Sequence, residues 1–373
     1  MKKAIVTPIW IVFLFLAALH PSEAIETKEP DRLFPIKQQG VWGYMDRAGK
    51  VVIKPSFFDA GLFSEGMALV SDENGDYFFI DRTGKYIWGP NTIGMDRAVF
   101  DTLRLTLGPF REGVAKVTEK GLFGYIDKTG KKVLEPQYIE AQSFTEGMAA
   151  VKVDVLVEKR PDGSDIRRKN VYINKAGKII LETGYIEISS FSEGLAAVIL
   201  HQKWGYIDKA GKLVIDMMFD QSGDFSEGMA KIGEKDKGSK GGGAGWFGAL
   251  RFRGKWGYID KTGKTIISPR FEEVSNFSEG LAAVKTGGKW GYIDKTGKTI
   301  ISPRFEEGSD FSEGLAAVNT AGKWGYIDKA GNFLIGPQFD YASRFYEGLA
   351  RVHVGKKMGY ILKTGKFFWG PTS

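Results

Sequence analysis

Apolar residues in this chain fall in short alternating bursts rather than at helical spacing, and the bursts recur. The segment Leu281 to Ile301 shows the pattern. Leu281-Ala282-Ala283-Val284 predicts a short apolar strand, and Lys285 to Gly288 a glycine-containing turn. Lys289 to Asp294 is rich in aromatic and β-branched residues and predicts a second strand. In Asp294-Lys295-Thr296-Gly297, Asp suits the first position of a type I turn, and Gly suits the left-handed residue that closes it. Thr299-Ile300-Ile301 predicts a third strand, ended by Pro303 because proline cannot donate to a ladder. The product is a three-stranded meander, joined through Phe305 to Phe311 and a Glu313-Gly314 turn to the next. Along the middle strand Trp290 and Tyr292 share one face, Gly291 and Ile293 the other. Neither face is simply polar, so the meander suits stacking between a preceding and a following copy. Gly291 then offers a notch for a neighbour's ring.

The repeat is explicit. Lys255–Gly288 and Lys289–Gly322 are each 34 residues long and differ at four positions. More worn copies place Trp42-Gly43-Tyr44, Phe123-Gly124-Tyr125, Trp204-Gly205-Tyr206, Trp324-Gly325-Tyr326 and Met358-Gly359-Tyr360 at the same point, and Tyr77-Phe78-Phe79 and Asn170-Val171-Tyr172 lack the Trp-Gly pair. A second signature, Phe-Ser-Glu-Gly or a variant, falls between hairpins, as at Phe63, Phe144, Phe277 and Phe311. With Lys-Trp-Gly-Tyr-Ile-Asp so often in phase with this signature, the chain resembles the WG (KWG) repeat-containing proteins over residues 33 to 370. The resemblance implies a binding or scaffolding role and supplies no catalytic residues.

About nine units fit the chain, giving an all-β fold. Leu33-Phe34-Pro35-Ile36 begins the first meander and Phe367-Phe368-Trp369 ends the last, so no strand is shared between the ends. Propellers usually have four to eight four-stranded blades. The expectation is therefore an open β-solenoid or superhelix of stacked three-stranded meanders, with a propeller-like ring as the alternative.

The chain's start changes the picture of where it works. Lys2 and Lys3 precede an unbroken apolar run, Ile9 to Leu19, and Ser22-Glu23-Ala24 offers small residues where a signal peptidase reads. Residues 1–24 are read as a signal peptide and 25–373 as the repeat array, exported to the periplasm or secreted. No cysteine follows the run, which argues against a lipoprotein, and no second run has membrane length. There are no cysteines and three histidines, one of them in the leader, so thiol chemistry is excluded and a histidine metal cluster is not expected. No cofactor is implied. With a formal charge of +7, anionic envelope polymers or lipid head groups suit an exported chain better than nucleic acid, but a solvated surface is the simpler reading and is preferred.

Three interruptions lengthen the array. One lies between Ile87 and Phe110. The other two fall in the same turn of the unit, where insertions project from one face of an array. The earlier, from Glu158 to Lys169, predicts a lengthened hairpin in which Arg167 and Arg168 offer a positive tip, though a solvated hairpin end is the simpler reading. The later, 233–254, carries a Gly/Lys-rich stretch followed by Trp246, Phe247, Arg251 and Arg253. Rings beside cations could stack on sugars or grip anions. A plain linker whose aromatic end tucks back onto the array is the simpler reading. The recurrent Asp260 and Asp294 fit turns better than calcium loops, which need several close oxygens. Glu279, Glu313 and Glu347 recur too often for a catalytic pair and read as turn residues; the turn lysines Lys261, Lys295 and Lys329 read as edge guards. The sequence thus predicts a non-catalytic scaffold binding a protein or an envelope polysaccharide. A cell-wall hydrolase or a structural spacer is the alternative.

Overall fold

The computed structural model describes residues 32–89, 108–156, 166–236, 252 and 254–372, all within one compact unit, Arg32–Ser373. Nine small antiparallel sheets are arranged around an axis in the manner of a nine-bladed β-propeller. The meander holds throughout. In the seventh blade Leu281–Thr286, Lys289–Asp294 and Thr299–Phe305 pair in sequence order.

The blade is larger than the sequence suggested. Among the described residues, seven of the nine sheets gain a first strand, usually of two residues, cut from the connection between units. Glu273–Val274 pairs with Lys285 and Val284 in this way. Two residues carry no alternating pattern, so the strand leaves no trace in hydrophobicity. Pro303 does not end the last strand either. Tyr292 faces Ile301 and Trp290 faces Phe305, so the outer strand bulges through Ser302-Pro303-Arg304 and then resumes. Proline is tolerated because both an edge strand and a bulge leave its missing N–H unneeded.

That bulge explains the Gly of the motif. A Cβ on Gly291 would lie 2.5 Å from the Ile301 carbonyl oxygen and 2.6 Å from Pro303 N. The notch is therefore filled by the backbone of its own blade and not by a neighbour's ring. The expectation that both faces pack is met. Tyr292, Ala283 and Ile301 form a buried cluster with Phe311, Ala316 and Val318 of the eighth blade, whereas Ile293, Ala282 and Val284 join Tyr258 and Ile267 of the sixth.

Tyr292 also ties the blades by a directed bond. Its hydroxyl donates to the Ser309 carbonyl of the next blade at 2.9 Å, and its ring meets Phe311 edge-on at 4.9 Å. Tyr44, Tyr125, Tyr172, Tyr206, Tyr258 and Tyr326 make the same bond to the residue 17 positions on. Tyr360 of the ninth blade makes it to Pro35 of the first, at 2.9 Å across 325 residues. There Phe34, Ile36 and Met45 share a buried cluster with Leu349, Met358 and Tyr360. The array is therefore a closed ring and not the open solenoid expected. Closure needs no shared strand, because neighbouring blades are joined by a side chain reaching a backbone carbonyl, and the last blade can make that bond to the first.

Candidate functional site

The meander gives the ring two unlike ends. At one end lie the Phe-Ser-Glu-Gly turns between first and second strands and the Asp-Lys-Thr-Gly turns between third and fourth. At the other lie the turns between second and third strands and the crossings from blade to blade.

The first end is a clasp. Glu279 sits at φ +53°, a left-handed conformation unfavourable to a residue with a Cβ, and seven equivalent glutamates share it. Its carboxylate accepts from the Gly314 N–H of the next blade at 2.9 Å and pairs with Lys329 at 3.2 Å. Lys329 also donates to the Glu279 carbonyl at 2.9 Å, and the Ser278 hydroxyl donates to the Phe311 carbonyl at 2.8 Å. Glu65, Glu112, Glu146, Glu193, Glu227 and Glu313 repeat the arrangement with Lys128, Lys175, Lys209, Lys261, Lys295 and Lys363. At the seam Arg47 stands in for lysine, 3.5 Å from Glu347 and donating to its carbonyl at 2.7 Å. Burial opposes ionisation of Glu193, but the Lys261 ammonium and the Gly228 N–H outweigh it and hold the carboxyl below its usual range. The turn lysines are thus ion-pair partners rather than edge guards. Asp294 accepts from the Thr296 N–H and hydroxyl and the Lys298 N–H, at 2.9, 2.6 and 3.0 Å, as turn chemistry requires.

The short first strands converge on the axis, since one cavity of about 950 Å³ is lined by Gly308, Tyr341 and Asp59 from three of them, together with Phe34 of the first blade. Its charged wall is partly self-paired, with Arg344 lying 3.2 Å from Asp310.

A second cavity, of about 360 Å³, opens on the inner wall between the fifth and seventh blades. Here the repeat is broken by substitution. At the third position of the second strand, where neighbouring blades have Ala197, Ala283 and Ala317, the sixth has Lys231. Where the next blades have Ser275 and Ser309, it has Gly223. The two changes belong together, because a Cβ on Gly223 would lie 2.7 Å from the Lys231 stem. In the seventh blade the Ser275 hydroxyl instead accepts the Ala283 N–H at 3.0 Å. Beside Lys231 stands Asp224. Burial pushes the Asp224 carboxyl up, against the Ser189 hydroxyl and the Lys231 charge; burial pushes the Lys231 ammonium down, against the charges of Asp224 and Asp310. The ammonium lies 5.7 Å from the centre of the Trp256 ring. Trp204 is 3 % exposed, and its Nε1–H lacks a hydrogen-bond partner among the described residues. The third blade carries a related lysine, Lys116, whose ammonium is satisfied by the Ala141 carbonyl at 3.0 Å.

Of the residues predicted from sequence, Trp246, Phe247, Arg251 and Arg253 lie outside the described residues. Arg167 lies on a strand that pairs with Val155 in the fourth blade's long hairpin. Arg168 is exposed on that hairpin, 3.5 Å from Asp154. The later insertion leaves the sixth blade where Lys235 pairs with Gly254. Next to that root, Phe252 packs edge-on against Trp256 at 5.0 Å. Both long turns belong to the end opposite the clasp, and the second springs from the wall of the smaller cavity. Asp224, Lys231 and Trp204 lie outside the insertions that the sequence marks as candidate sites. The paired departures Lys231 and Gly223 were the signal available.

The WG containing repeat model matches residues 42–75, 123–154, 172–204, 204–237, 256–290, 290–324 and 324–357. The chain belongs to the WG-repeat family. No curated protein matches this WG-repeat chain in sequence. Among solved structures it is similar to a eukaryotic initiation factor, with 11 % identity, 84 % of this chain and 88 % of that one covered, and a TM-score of 0.51. It is also similar to BamB from Moraxella catarrhalis, with 11 % identity, 90 % of each chain covered and a TM-score of 0.35. At such identities a likeness speaks to fold alone.

Proposed function

We propose that this WG-repeat chain is an exported, non-catalytic scaffold that holds a protein or envelope glycan partner at the end opposite the clasp. One observation carries the reading. The repeated charged and hydroxyl side chains of the clasp are engaged between blades, whereas the repeat is interrupted on the inner wall and in two turns that share the other end. Sites grafted on a repeat scaffold fall where the repeat varies. The test is capture from envelope extracts by wild-type protein and by a chain with residues 237–251 replaced by two glycines. The deletion is expected to keep its strand content and lose the captured component. Equal capture by both chains would remove the later insertion from the reading. Export is checked by fractionation and by the N-terminus of the mature chain, expected at Ile25.

A second reading, a cell-wall hydrolase, is favoured by Asp224, a carboxyl raised by burial inside a cavity. The other lining carboxylate, Glu273, is bound to Lys285 at 2.7 Å, which weakens its claim as the second member of a catalytic pair. Release of soluble sugars from purified cell wall, abolished by Asp224→Asn, would establish that reading.

A further inference from the structure

We infer that the cavity between the fifth and seventh blades is a binding site for one unit of a neutral sugar chain, an inference that rests on the scaffold reading above and gives it a ligand class. The argument is one of matching groups. Its volume of about 360 Å³ falls in the range of small-molecule sites. Trp204 presents a buried N–H with no acceptor among the described residues, and a buried donor left unmatched is destabilising. Asp224 offers acceptors and Lys231 donors in the same space. An anionic ligand would bring its charge against Asp224, and a cationic one against Lys231. Charges buried together tolerate a further unpaired charge poorly. A hydroxyl both donates and accepts, so one polyol serves Asp224 and Lys231 together and adds no charge. Val274 and the half-buried Trp256 ring, which also meets Lys231 and Phe252, add apolar surface to the wall. Asn276, exposed at the cavity, adds an amide that serves hydroxyls in either sense.

The third blade carries the same lysine–glycine pair, Gly108 and Lys116, so what sets the sixth apart is where its ammonium lies. Lysine with glycine replaces alanine with serine in the sixth blade, and a hydrogen bond of the kind the Ser275 hydroxyl makes to the Ala283 N–H has no counterpart at Gly223. In the third blade the equivalent ammonium is capped by a carbonyl, while in the sixth it lines the cavity beside Asp224 and the Trp256 ring.

The test uses the full mature chain with chitotriose and maltotriose as neutral probes and trigalacturonate as the anionic control. Binding is read by calorimetry and by tryptophan emission. At least one neutral trisaccharide is expected to bind saturably at one site per chain and to change the emission. Trp204→Phe, Asp224→Ala and Asn276→Ala are each expected to weaken it at least five-fold. Asn276 is exposed, so its variant keeps the test open should a buried change impair folding. Failure of both neutral probes at millimolar concentration, tighter binding of trigalacturonate, or equal affinity in folded Trp204→Phe and Asn276→Ala would overturn the inference. If envelope capture persists while the sugars fail, the scaffold reading stands and this assignment alone falls. If capture fails as well, both fall.

Discussion

The clasp end and the insertion end are built from the same repeats yet obey different rules. At the clasp, every glutamate from Glu65 to Glu313 reaches a glycine N–H in the next blade, and each paired lysine reaches back. Each contact depends on both blades, so a change in one must be answered in its neighbour. At the opposite end a turn closes within its own blade, and length can be added without disturbing the ring. The fourth blade extends its hairpin to Leu156 and Ile166, and the sixth leaves at Lys235 and returns at Gly254, with strand pairing intact below. The lesson is that motif residues of a ring repeat are committed to holding the ring, and two of its three insertions lie in turns whose contacts stay inside one unit.

The sharpest break of this comparison is Tyr292→Ala. It removes a buried ring and the bond to the next blade, and should cost about 3–5 kcal/mol in denaturant unfolding. Tyr292→Phe should cost about 1–2 kcal/mol, since the ring stays and the Ser309 carbonyl loses its donor. Equal cost for both would locate the effect in the hydroxyl alone.

Acid should weaken the clasp selectively. Glu146, Glu193 and Glu227 are held below the usual carboxylate range in the folded chain, where neighbouring lysines and glycine N–H groups outweigh burial. Groups depressed by folding stabilise it above their unfolded pKa, and that contribution is lost as pH falls through the folded values. The melting temperature should therefore hold from pH 7 to about 5 and drop below about 4. Asp224 moves the opposite way, so carboxyl NMR should find it titrating above Asp294, which is held low by the Thr296 hydroxyl despite some burial.

Smaller effects compare single charges. Glu279→Ala should cost about 1 kcal/mol, and Glu279→Gly less, because glycine relieves the positive φ while losing the same bonds. Arg168→Ala, at an exposed pair on the insertion end, should change stability by less than about 0.5 kcal/mol. A larger loss at Arg168 than at Glu279 would reverse the distinction between the ends.

Much of this molecule was determined by its sequence. Alternation in Lys289–Asp294 dictated strands apolar on both faces, and the structure places Tyr292 and Ile293 against opposite neighbours. Asp294 and Gly297 dictated their turn because both act on adjacent backbone. The tertiary structure decided the rest. Gly291 is needed because a bulge on the next strand fills its side, which a one-strand pattern does not encode. Ring closure depends on the accumulated rotation of nine blades bringing Tyr360 to Pro35, a sum no local motif records. The cavity of Asp224, Lys231 and Trp204 gathers residues from two blades beside a third, and their desolvation exists only once the blades meet. Local hydrogen bonding can be read along a chain, whereas burial and closure depend on where distant segments come to lie.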